Sequence, residues 1–317
     1  MSDRLATTLC GIPLRNPVLA ASGTFGYGLE FAKLVPLEKL GAVVTKGLSR
    51  EPIAGNPAPR LWHTQAGMMN SVGLQNVGVA AFIRDKLPEL RKHDVPVIAN
   101  IFGYRVEDYL EVLRTLEDAE GLAAYELNIS CPNTKEGGIF FSSDPAATFN
   151  LVNRARFAIS RRPLIVKLSP NVTAIQPFAK AAEQAGADAL SLVNTFVSLA
   201  LDNQTGLPRI GAGFGGLSGP SIKPIALRLV YEAAQTVNIP VIGGGGISNA
   251  QDAADFFSAG AGAVQVGTAT FIDPRAPLLI ARQLDRLLQK KGIDHLRNLI
   301  GTARLGKPSG AHCKIKP

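Results

Sequence analysis

The segment 128–138, NISCPNTKEGG, joins a cysteine to amide side chains at the end of an apolar run. The run AAYELNIS that leads into it has the composition of a buried strand, and Cys131 is one of only three cysteines. A cysteine here is a buried small side chain, a nucleophile or a general base. No histidine lies nearby in sequence to activate a nucleophile. A thiol of ordinary pKa, about 8.5, can take a proton from carbon once it is partly deprotonated.

Polar side chains also follow other apolar runs. They are Ser22, Lys46, Asn100, Asn128, Ser130, Lys167, Ser169, Asn194 and Thr195, with Asn70 in the predicted loop 68–76. One asparagine after a strand is commonly a turn residue, but so many strand ends predict a shared ligand site. Amides both donate and accept, so Asn70, Asn128 and Asn194 suit a pyrimidine ring. Lys167 follows the apolar run LIV, and a buried lysine needs an anionic or polar partner, such as the N1/O2 edge of a reduced flavin.

Glycines mark two further chain segments. GGGGIS spans 243–248 and VGT spans 266–268, where they follow the last two predicted strands. Barrels often bind phosphate with these loops, because glycines let backbone N–H groups approach the anion at a helix N-terminus. Ser248 is the predicted N-cap of that helix. Tight packing at the barrel rim is the alternative interpretation, and a sugar phosphate, a nucleotide or FMN would each fit a phosphate site.

Eight short apolar runs are predicted to position these residues. They span 17–22, 42–46, 96–102, 125–130, 164–169, 189–194, 240–246 and 263–268. Continuous rather than alternating apolar runs are typical of strands buried on both faces. Helical periodicity fills 106–120, 144–160, 173–186 and 248–260, with Asp144 as N-cap and Pro145 at the first helical position. The repeated βα units predict a single-domain (β/α)₈ TIM barrel over about 17–291, with chemistry at the carboxyl ends of the strands.

Two further segments lie outside this repeat. The longest break, 195–221, follows the sixth strand on the predicted active-site face, and long loops are often functional. The end of the chain, about 301–317, is a basic tail, which we interpret as solvated.

Composition narrows the function classes. Of 317 residues 46% are hydrophobic, which indicates a globular chain, and the formal charge of +8 favours anionic partners. Three widely spaced cysteines make a poor disulfide framework, and the four histidines lack the spacing of metal ligands, so we expect no metal. No apolar stretch is long enough to span a bilayer and no secretion signal is evident, so we expect a cytoplasmic protein that does not bind a membrane.

The chain resembles the class 1 dihydroorotate dehydrogenases, FMN enzymes of pyrimidine biosynthesis. The matching phrases are NPVLAASGTFGYG (16–28), VTKGLSREPIAGNPAPRLW (44–62), NSVGLQN (70–76), NISCPNTKEGG (128–138), GGLSGPSIKPIALRLVYE (215–232), IPVIGGGGISNAQDAADFFSAGA (239–261) and VGTA (266–269). They cover nearly the whole chain up to about residue 300. In the segment after NTKEGG, the chain reads IFFSSDP where a glycine after the phenylalanine is more usual in the family.

The resemblance implies a role for each matching residue. Cys131 would take the C5 proton of (S)-dihydroorotate while hydride from C6 passes to N5 of non-covalent FMN. Substrate would bind Lys46, Asn70, Ser71, Val72, Gly73, Leu74, Asn128, Asn194 and Thr195. FMN would contact Ser22, Lys46, Gly47, Asn100, Asn128, Lys167, Val193, Gly219, Gly245, Gly246, Gly267 and Thr268, the last four around its phosphate.

The resemblance also implies a subclass. Class 2 enzymes use a serine base and carry a membrane-associating extension, whereas this chain has Cys131. The phrases NTKEGG and REPIAGNPAPRLW look like class 1B, the NAD⁺-linked type. Such catalytic subunits form the homodimer core of a heterotetramer, and a partner subunit carries FAD and a [2Fe–2S] cluster. This chain lacks the cysteines for its own cluster, which agrees with a separate electron-transfer partner.

Three alternatives stay open at this point. A fumarate-linked class 1A enzyme would share the barrel and the cysteine. A tRNA dihydrouridine synthase is also an FMN barrel and would suit the positive charge, but it carries a C-terminal helical RNA-binding domain for which little chain remains, so we expect no nucleic-acid partner. A non-catalytic phosphate-binding barrel would explain the glycines but not Lys46, Cys131 and the asparagines.

Overall fold

The computed structural model describes residues 3–130 and 141–306. Its strands are β1 (Thr7–Leu9), β2 (Ile12–Leu14), β3 (Val18–Ala20), β4 (Ala42–Val44), β5 (Leu61–Thr64), β6 (Gly67–Asn70), β7 (Val97–Ile101), β8 (Ala124–Asn128), β9 (Leu164–Lys167), β10 (Ala189–Leu192), β11 (Phe196–Ser198), β12 (Gly215–Ser218), β13 (Val241–Gly244) and β14 (Ala263–Val266). Its α-helices are α1 (Val79–Ala81), α2 (Leu87–Leu90), α3 (Val106–Glu117), α4 (Pro145–Ala158), α5 (Gln176–Gln184), α6 (Lys223–Ala234), α7 (Ala250–Ser258) and α8 (Ala276–Lys290).

Eight parallel strands close into a barrel in the order β3-β4-β7-β8-β9-β10-β13-β14, so that β14 pairs with β3. The order follows the chain, as in a (β/α)₈ TIM barrel, and the predicted fold is confirmed. Almost every residue of these strands is buried because the barrel interior covers one face and the helices cover the other. This double burial explains the continuous apolar runs in the sequence.

The barrel interior changes from apolar to polar along the strands. Its amino-terminal layer contains Leu19, Ala42, Val44, Ile98, Ala124, Ile165, Ala189, Ile242 and Ala263. Side chains two positions further along a strand point the same way. On five of the strands this next layer consists of Asn100, Glu126, Lys167, Ser191 and Gln265, all buried. The amino-terminal part of the barrel interior is therefore filled with apolar side chains. The polar layer above it forms the floor of the carboxyl-terminal end of the barrel, and we call it the polar floor.

The N-terminal hairpin closes the amino end of the barrel. Strands β1 and β2 pair antiparallel, and their buried Leu9 and Leu14 pack in the same cluster as the barrel interior. The turn carries Cys10 at φ 49° and Gly11 at φ 81°. The thiol of Cys10 donates to the carbonyl of Asp188, directly before β10, at 3.2 Å. The hairpin thus seals the end opposite the predicted site.

A four-stranded antiparallel sheet, in the order β11-β12-β6-β5, lies at the carboxyl end of the barrel. The predicted long break 195–221 is therefore not all loop, because it contains β11 and β12. β11 pairs with β12, and β12 in turn pairs with β6, more than a hundred residues earlier, with Gly216 opposite Asn70. Asn70, expected in a loop, ends β6.

Two local expectations need correction. The connection from β3 to β4 has 3₁₀ helices at Leu29–Phe31 and Leu37–Lys39 in place of a barrel α-helix. Ser248 does not cap α7. The cap is Asn249, whose side chain accepts from the N–H of Asp252 at 3.0 Å, while the N–H of Ser248 donates to the Asp252 carboxylate at 2.9 Å. Asn249 has the extended backbone that an N-cap requires.

Asp144 caps α4 as predicted, with Pro145 at its first position. In the part of the chain that the structure describes, no helix is long and apolar enough to cross a membrane. The basic tail falls outside the described residues from 307 onward, and the single-domain organisation stays a prediction.

Candidate functional site

A cavity of about 1650 Å³ opens at the carboxyl ends of the barrel strands, under the antiparallel sheet. Every predicted ligand residue in the described segments lines it. These are Ser22, Lys46, Gly47, Asn70, Ser71, Val72, Gly73, Leu74, Asn100, Asn128, Lys167, Val193, Asn194, Thr195, Gly219, Gly245, Gly246, Gly267 and Thr268. Cys131 lies outside the described residues, but its neighbour in sequence, Ser130, lines the cavity.

The polar floor of the cavity is centred on a buried carboxylate. Glu126 is fully buried and accepts from Asn100 Nδ2 at 2.7 Å and from Gln265 Nε2 at 2.5 Å. Lys167 Nζ lies 3.8 Å from Glu126 Oε1. Three neighbouring strands, β7, β8 and β9, and β14 on the opposite side of the barrel thus contribute to one network.

One polar atom of this floor has no partner among the described residues. The side-chain oxygen of Asn100 is buried and accepts no hydrogen bond there. A Cβ built on Gly47 would lie 3.0 Å from this oxygen and equally close to the Phe102 ring. A buried unpaired acceptor costs about 1–3 kcal/mol, so a ligand N–H beside Gly47 is its natural partner.

Two cations line the side of the cavity next to β4. The Lys46 N–H donates to the carbonyl of Gly26 at 2.7 Å, which fixes its backbone. Burial, and secondarily the positive charge of Arg60, lower the pKa of Lys46, against a smaller opposing effect of Glu30. Arg60 is tied to Gln75 Oε1 at 2.9 Å. The pair therefore forms an anion-attracting wall in which the charge of Lys46 is poorly solvated.

Amides line another edge of the cavity. Asn194 Nδ2 donates to Asn128 Oδ1 at 3.2 Å, and Asn194 Oδ1 accepts from the N–H of Thr195 at 2.8 Å. Asn70 Nδ2 donates to the carbonyl of Gly216 at 3.3 Å. Asn171 holds the strand that follows, because its amide bonds both the carbonyl of Thr195 and the N–H of Val197. Neutral donors and acceptors of this kind suit a small ring with several polar edges.

Backbone N–H groups form the rim beyond β13 and β14. Gly245 and Gly246 have φ of 115° and 80°, which only glycine adopts readily. In the described part of the chain, no hydrogen-bond acceptor faces the N–H groups of Gly245, Gly246, Gly267 and Thr268. Successive unpaired backbone N–H groups in turns can line an anion-binding concavity. These groups fit a phosphate, as the sequence predicts.

Sequence reasoning missed several residues of this cavity. Glu126, Gln265, Arg60, Asn171 and Ser218 all belong to it or to its walls. Ser218 Oγ accepts from Thr268 Oγ at 2.8 Å and links the antiparallel sheet to β14. A signal existed for Glu126 alone, since it is the one acid within the eight predicted strands.

A closed α/β barrel with a polar cavity and a glycine rim at the carboxyl ends of its strands is the architecture of a barrel enzyme that binds a phosphate-bearing ligand. A family profile described as dihydroorotate dehydrogenase matches residues 4–288. The chain belongs to the dihydroorotate dehydrogenase family, and with it to the FMN-using oxidoreductases of pyrimidine biosynthesis.

Relatives of two named types are similar to the chain. A protein of Solibacter usitatus, provisionally named dihydroorotate dehydrogenase A (fumarate), is 63% identical over 96% of this chain and 100% of its own length. Two proteins named as catalytic subunits of dihydroorotate dehydrogenase B (NAD(+)) follow. That of Geotalea uraniireducens is 53% identical over 94% of this chain and 97% of its own length. That of Geotalea daltonii is 52% identical over 95% of this chain and 98% of its own length.

Proposed function

We propose that the chain oxidises (S)-dihydroorotate to orotate with FMN bound in the cavity at the barrel mouth. The observation that carries this proposal is the convergence of every described candidate ligand residue on that one cavity. Those residues come from all eight barrel strands or the segments after them, so no local sequence feature brings them together.

The residues present fit FMN on three counts. The unpaired N–H groups at Gly245, Gly246, Gly267 and Thr268 suit its phosphate. The unpartnered oxygen of Asn100 suits an N–H of the flavin ring. Lys167 suits the electron-rich N1/O2 edge, because its ammonium accompanies a buried carboxylate and lines the cavity. When bound, FMN supplies the acceptor for a hydride from the substrate.

The asparagine side chains that line the cavity suit dihydroorotate. Asn70, Asn128 and Asn194 offer donors and acceptors to its ring carbonyl and N–H edges without adding charge. Lys46 supplies a cation for its carboxylate, and its poorly solvated charge gains from an anionic ligand. Cys131 is proposed as the base that takes the C5 proton.

For the electron acceptor, we propose a partner subunit carrying FAD and a [2Fe–2S] cluster that reduces NAD⁺. Relatives about half identical are named as catalytic subunits of NAD(+) enzymes, which supports such a partner. Apolar side chains next to the antiparallel sheet are exposed, among them Val197, Leu201, Leu207 and Phe214. An apolar surface of this kind supports contact with further chains, as in a homodimer at the core of a heterotetramer.

A fumarate-linked enzyme is the second candidate. The relative that is 63% identical carries a name of that type, and its similarity covers its full length. In this candidate the same cavity would receive fumarate after orotate leaves, and no partner subunit would be needed.

Flavin bleaching separates these proposals. The purified chain is expected to bind FMN and turn yellow, and dihydroorotate added without oxygen is expected to bleach it. Fumarate and NAD⁺ are then added separately to the reduced protein. Recolouring by fumarate alone supports the second candidate, and recolouring by NAD⁺ only with an added partner supports the first. A protein that takes up no FMN, or a flavin that dihydroorotate does not bleach, contradicts the proposed function.

A further inference from the structure

Glu126 lies at the centre of the cavity floor, beneath the residues proposed to touch the ligand. It is completely buried, and a carboxylate in such a place is costly unless it is charge-paired and hydrogen-bonded. Both its oxygens receive amide donors, at 2.7 Å from Asn100 and 2.5 Å from Gln265. Each carboxyl oxygen of Glu126 therefore acts as a hydrogen-bond acceptor.

An ionised carboxylate determines how its amide neighbours are oriented. It can only accept hydrogen bonds, so Asn100 and Gln265 must both turn their NH₂ groups toward it. The carbonyl oxygen of each amide then points away from Glu126. For Asn100 this is the buried, unpartnered oxygen beside Gly47. By fixing the amide orientation of Asn100, Glu126 keeps the Asn100 oxygen available to the cavity as an acceptor. An asparagine side chain without this partner could equally turn its NH₂ group to that position.

The relation to Lys167 is of a different kind. At 3.8 Å, Nζ is close enough to Glu126 for charge pairing but too far for a hydrogen bond. No described residue accepts a hydrogen bond from this ammonium, and Lys167 lines the cavity. Glu126 therefore balances the charge of Lys167 while leaving its donors available to a ligand.

We propose that Glu126 is a positioning residue for the flavin ring, which orients the Asn100 oxygen toward a ring N–H and balances the lysine that faces the N1/O2 edge. The inference rests on the proposed function, because it takes the flavin as the ligand. It adds an electrostatic role: a fixed negative charge behind Lys167 opposes the gain of negative charge by the ring, and so lowers the reduction potential of the flavin.

The first test is the midpoint reduction potential of bound FMN in Glu126→Gln. This variant keeps the side-chain shape but removes the charge and the fixed amide orientation. We expect a more positive potential than in the wild type, and weaker binding of oxidised FMN by about tenfold, since one oriented hydrogen bond is lost. Glu120→Gln is the matched control, because that glutamate is exposed and pairs with Arg91 at the surface. An unchanged potential in folded, flavin-bound Glu126→Gln overturns the proposal.

The second test needs no flavin and covers the case in which Glu126→Gln alone folds poorly. In ligand-free protein, Lys167→Met leaves the buried carboxylate without its charge partner and is expected to lower Tm by about 5 °C or more. Adding Glu126→Gln to Lys167→Met is expected to recover part of that loss. A double variant no more stable than Lys167→Met overturns the charge pairing. A wild-type protein that binds no FMN would instead refute the proposed function and leave this thermal comparison intact.

Discussion

Lys223 Nζ lies 2.6 Å from Asp252 Oδ1, so the first residue of α6 is tied to the first turn of α7. The same ammonium lies 2.7 Å from Asp255. The two helices begin four residues after Gly219 and Gly246, which line the cavity rim. A Cβ on Gly246 would lie 2.7 Å from the Lys223 Cβ, which shows how closely the two segments pack. This ion pair therefore holds in place, from outside the cavity, the two segments that lead from the cavity rim into α6 and α7.

Lys223→Met is expected to weaken FMN binding by about tenfold, because the loops that carry the N–H groups lose their common anchor. Burial alone lowers the pKa of Lys223, but its hydrogen bonds and charge pairing with Asp252 and Asp255 raise it overall. The stability due to this pair is thus present below the ordinary lysine value of 10.5 and is lost as pH rises through the raised pKa. FMN fluorescence titration measures the affinity. Arg228→Met, which breaks the exposed Arg228–Glu232 pair on the same helix, is the control and should bind FMN normally.

Gly47→Ala is expected to abolish FMN binding at micromolar concentration while the protein stays folded. The added methyl would lie 3.0 Å from both Asn100 Oδ1 and the Phe102 ring, and would fill the space in front of the unpartnered oxygen. Overpacking of this kind also costs about 1–3 kcal/mol of stability. Equilibrium dialysis with FMN, with circular dichroism on the same sample, checks both effects. A folded variant with wild-type affinity would contradict this assignment of the Asn100 oxygen.

Lys46→Met is expected to reduce kcat/KM for dihydroorotate by about 10- to 100-fold, as for loss of a charged hydrogen-bond donor. In the absence of ligand, by contrast, Lys46→Met is expected to stabilise the folded protein. Burial lowers the pKa of Lys46, so the folded state disfavours the charge, and this cost fades as pH rises through the lowered pKa toward 10.5. The variant should therefore have a higher Tm than the wild type at pH 7, and the difference should shrink at alkaline pH. A lower Tm at pH 7 would refute this reading.

Cys10 is expected to resist alkylation in the folded protein. Burial, and then the negative charge of Asp188, raise the pKa of its thiol from 9.0 to about 11. The thiolate fraction at pH 8 is thus about 100-fold lower than in an unfolded chain. The raised pKa also means that the hairpin loses stability as pH rises from 9 to 11. Iodoacetamide labelling, read by peptide mass spectrometry, gives the rate at Cys10 with urea-unfolded protein as reference. Equal rates in the two states would contradict the buried position of the thiol.

The sequence was sufficient to predict the barrel because its strands carry their own signal. Runs such as LIVK and AVQV are apolar throughout, and the structure buries both faces of each. The strand ends can also be located in the sequence, which predicts that residues such as Asn128 and Lys167 share one cavity. Their individual roles, and that of Cys131, stay predictions.

The rest depends on contacts between distant parts of the chain. β11 and β12 are only three and four residues long, and β12 pairs with β6 across a sequence separation of 146 residues, as the Asn70–Gly216 hydrogen bond shows. Glu126 and Gln265 are separated by 139 residues, and only closure of the barrel brings them to 2.5 Å. Lys167 was expected to need an anionic or polar partner, and the flavin edge was the partner named for it, although Glu126 was the one acid within the predicted strands. Glu126 shows that the protein supplies one itself.

The N-terminal hairpin has a practical consequence for attaching the protein to a surface. Since Leu9 and Leu14 fill the amino end of the barrel, the start of the described chain lies on the face opposite the cavity. A tether at that end would orient every molecule with its opening outward. Electrode immobilisation or fusion through the N-terminus should therefore leave the cavity accessible to large electron acceptors as well as small ones.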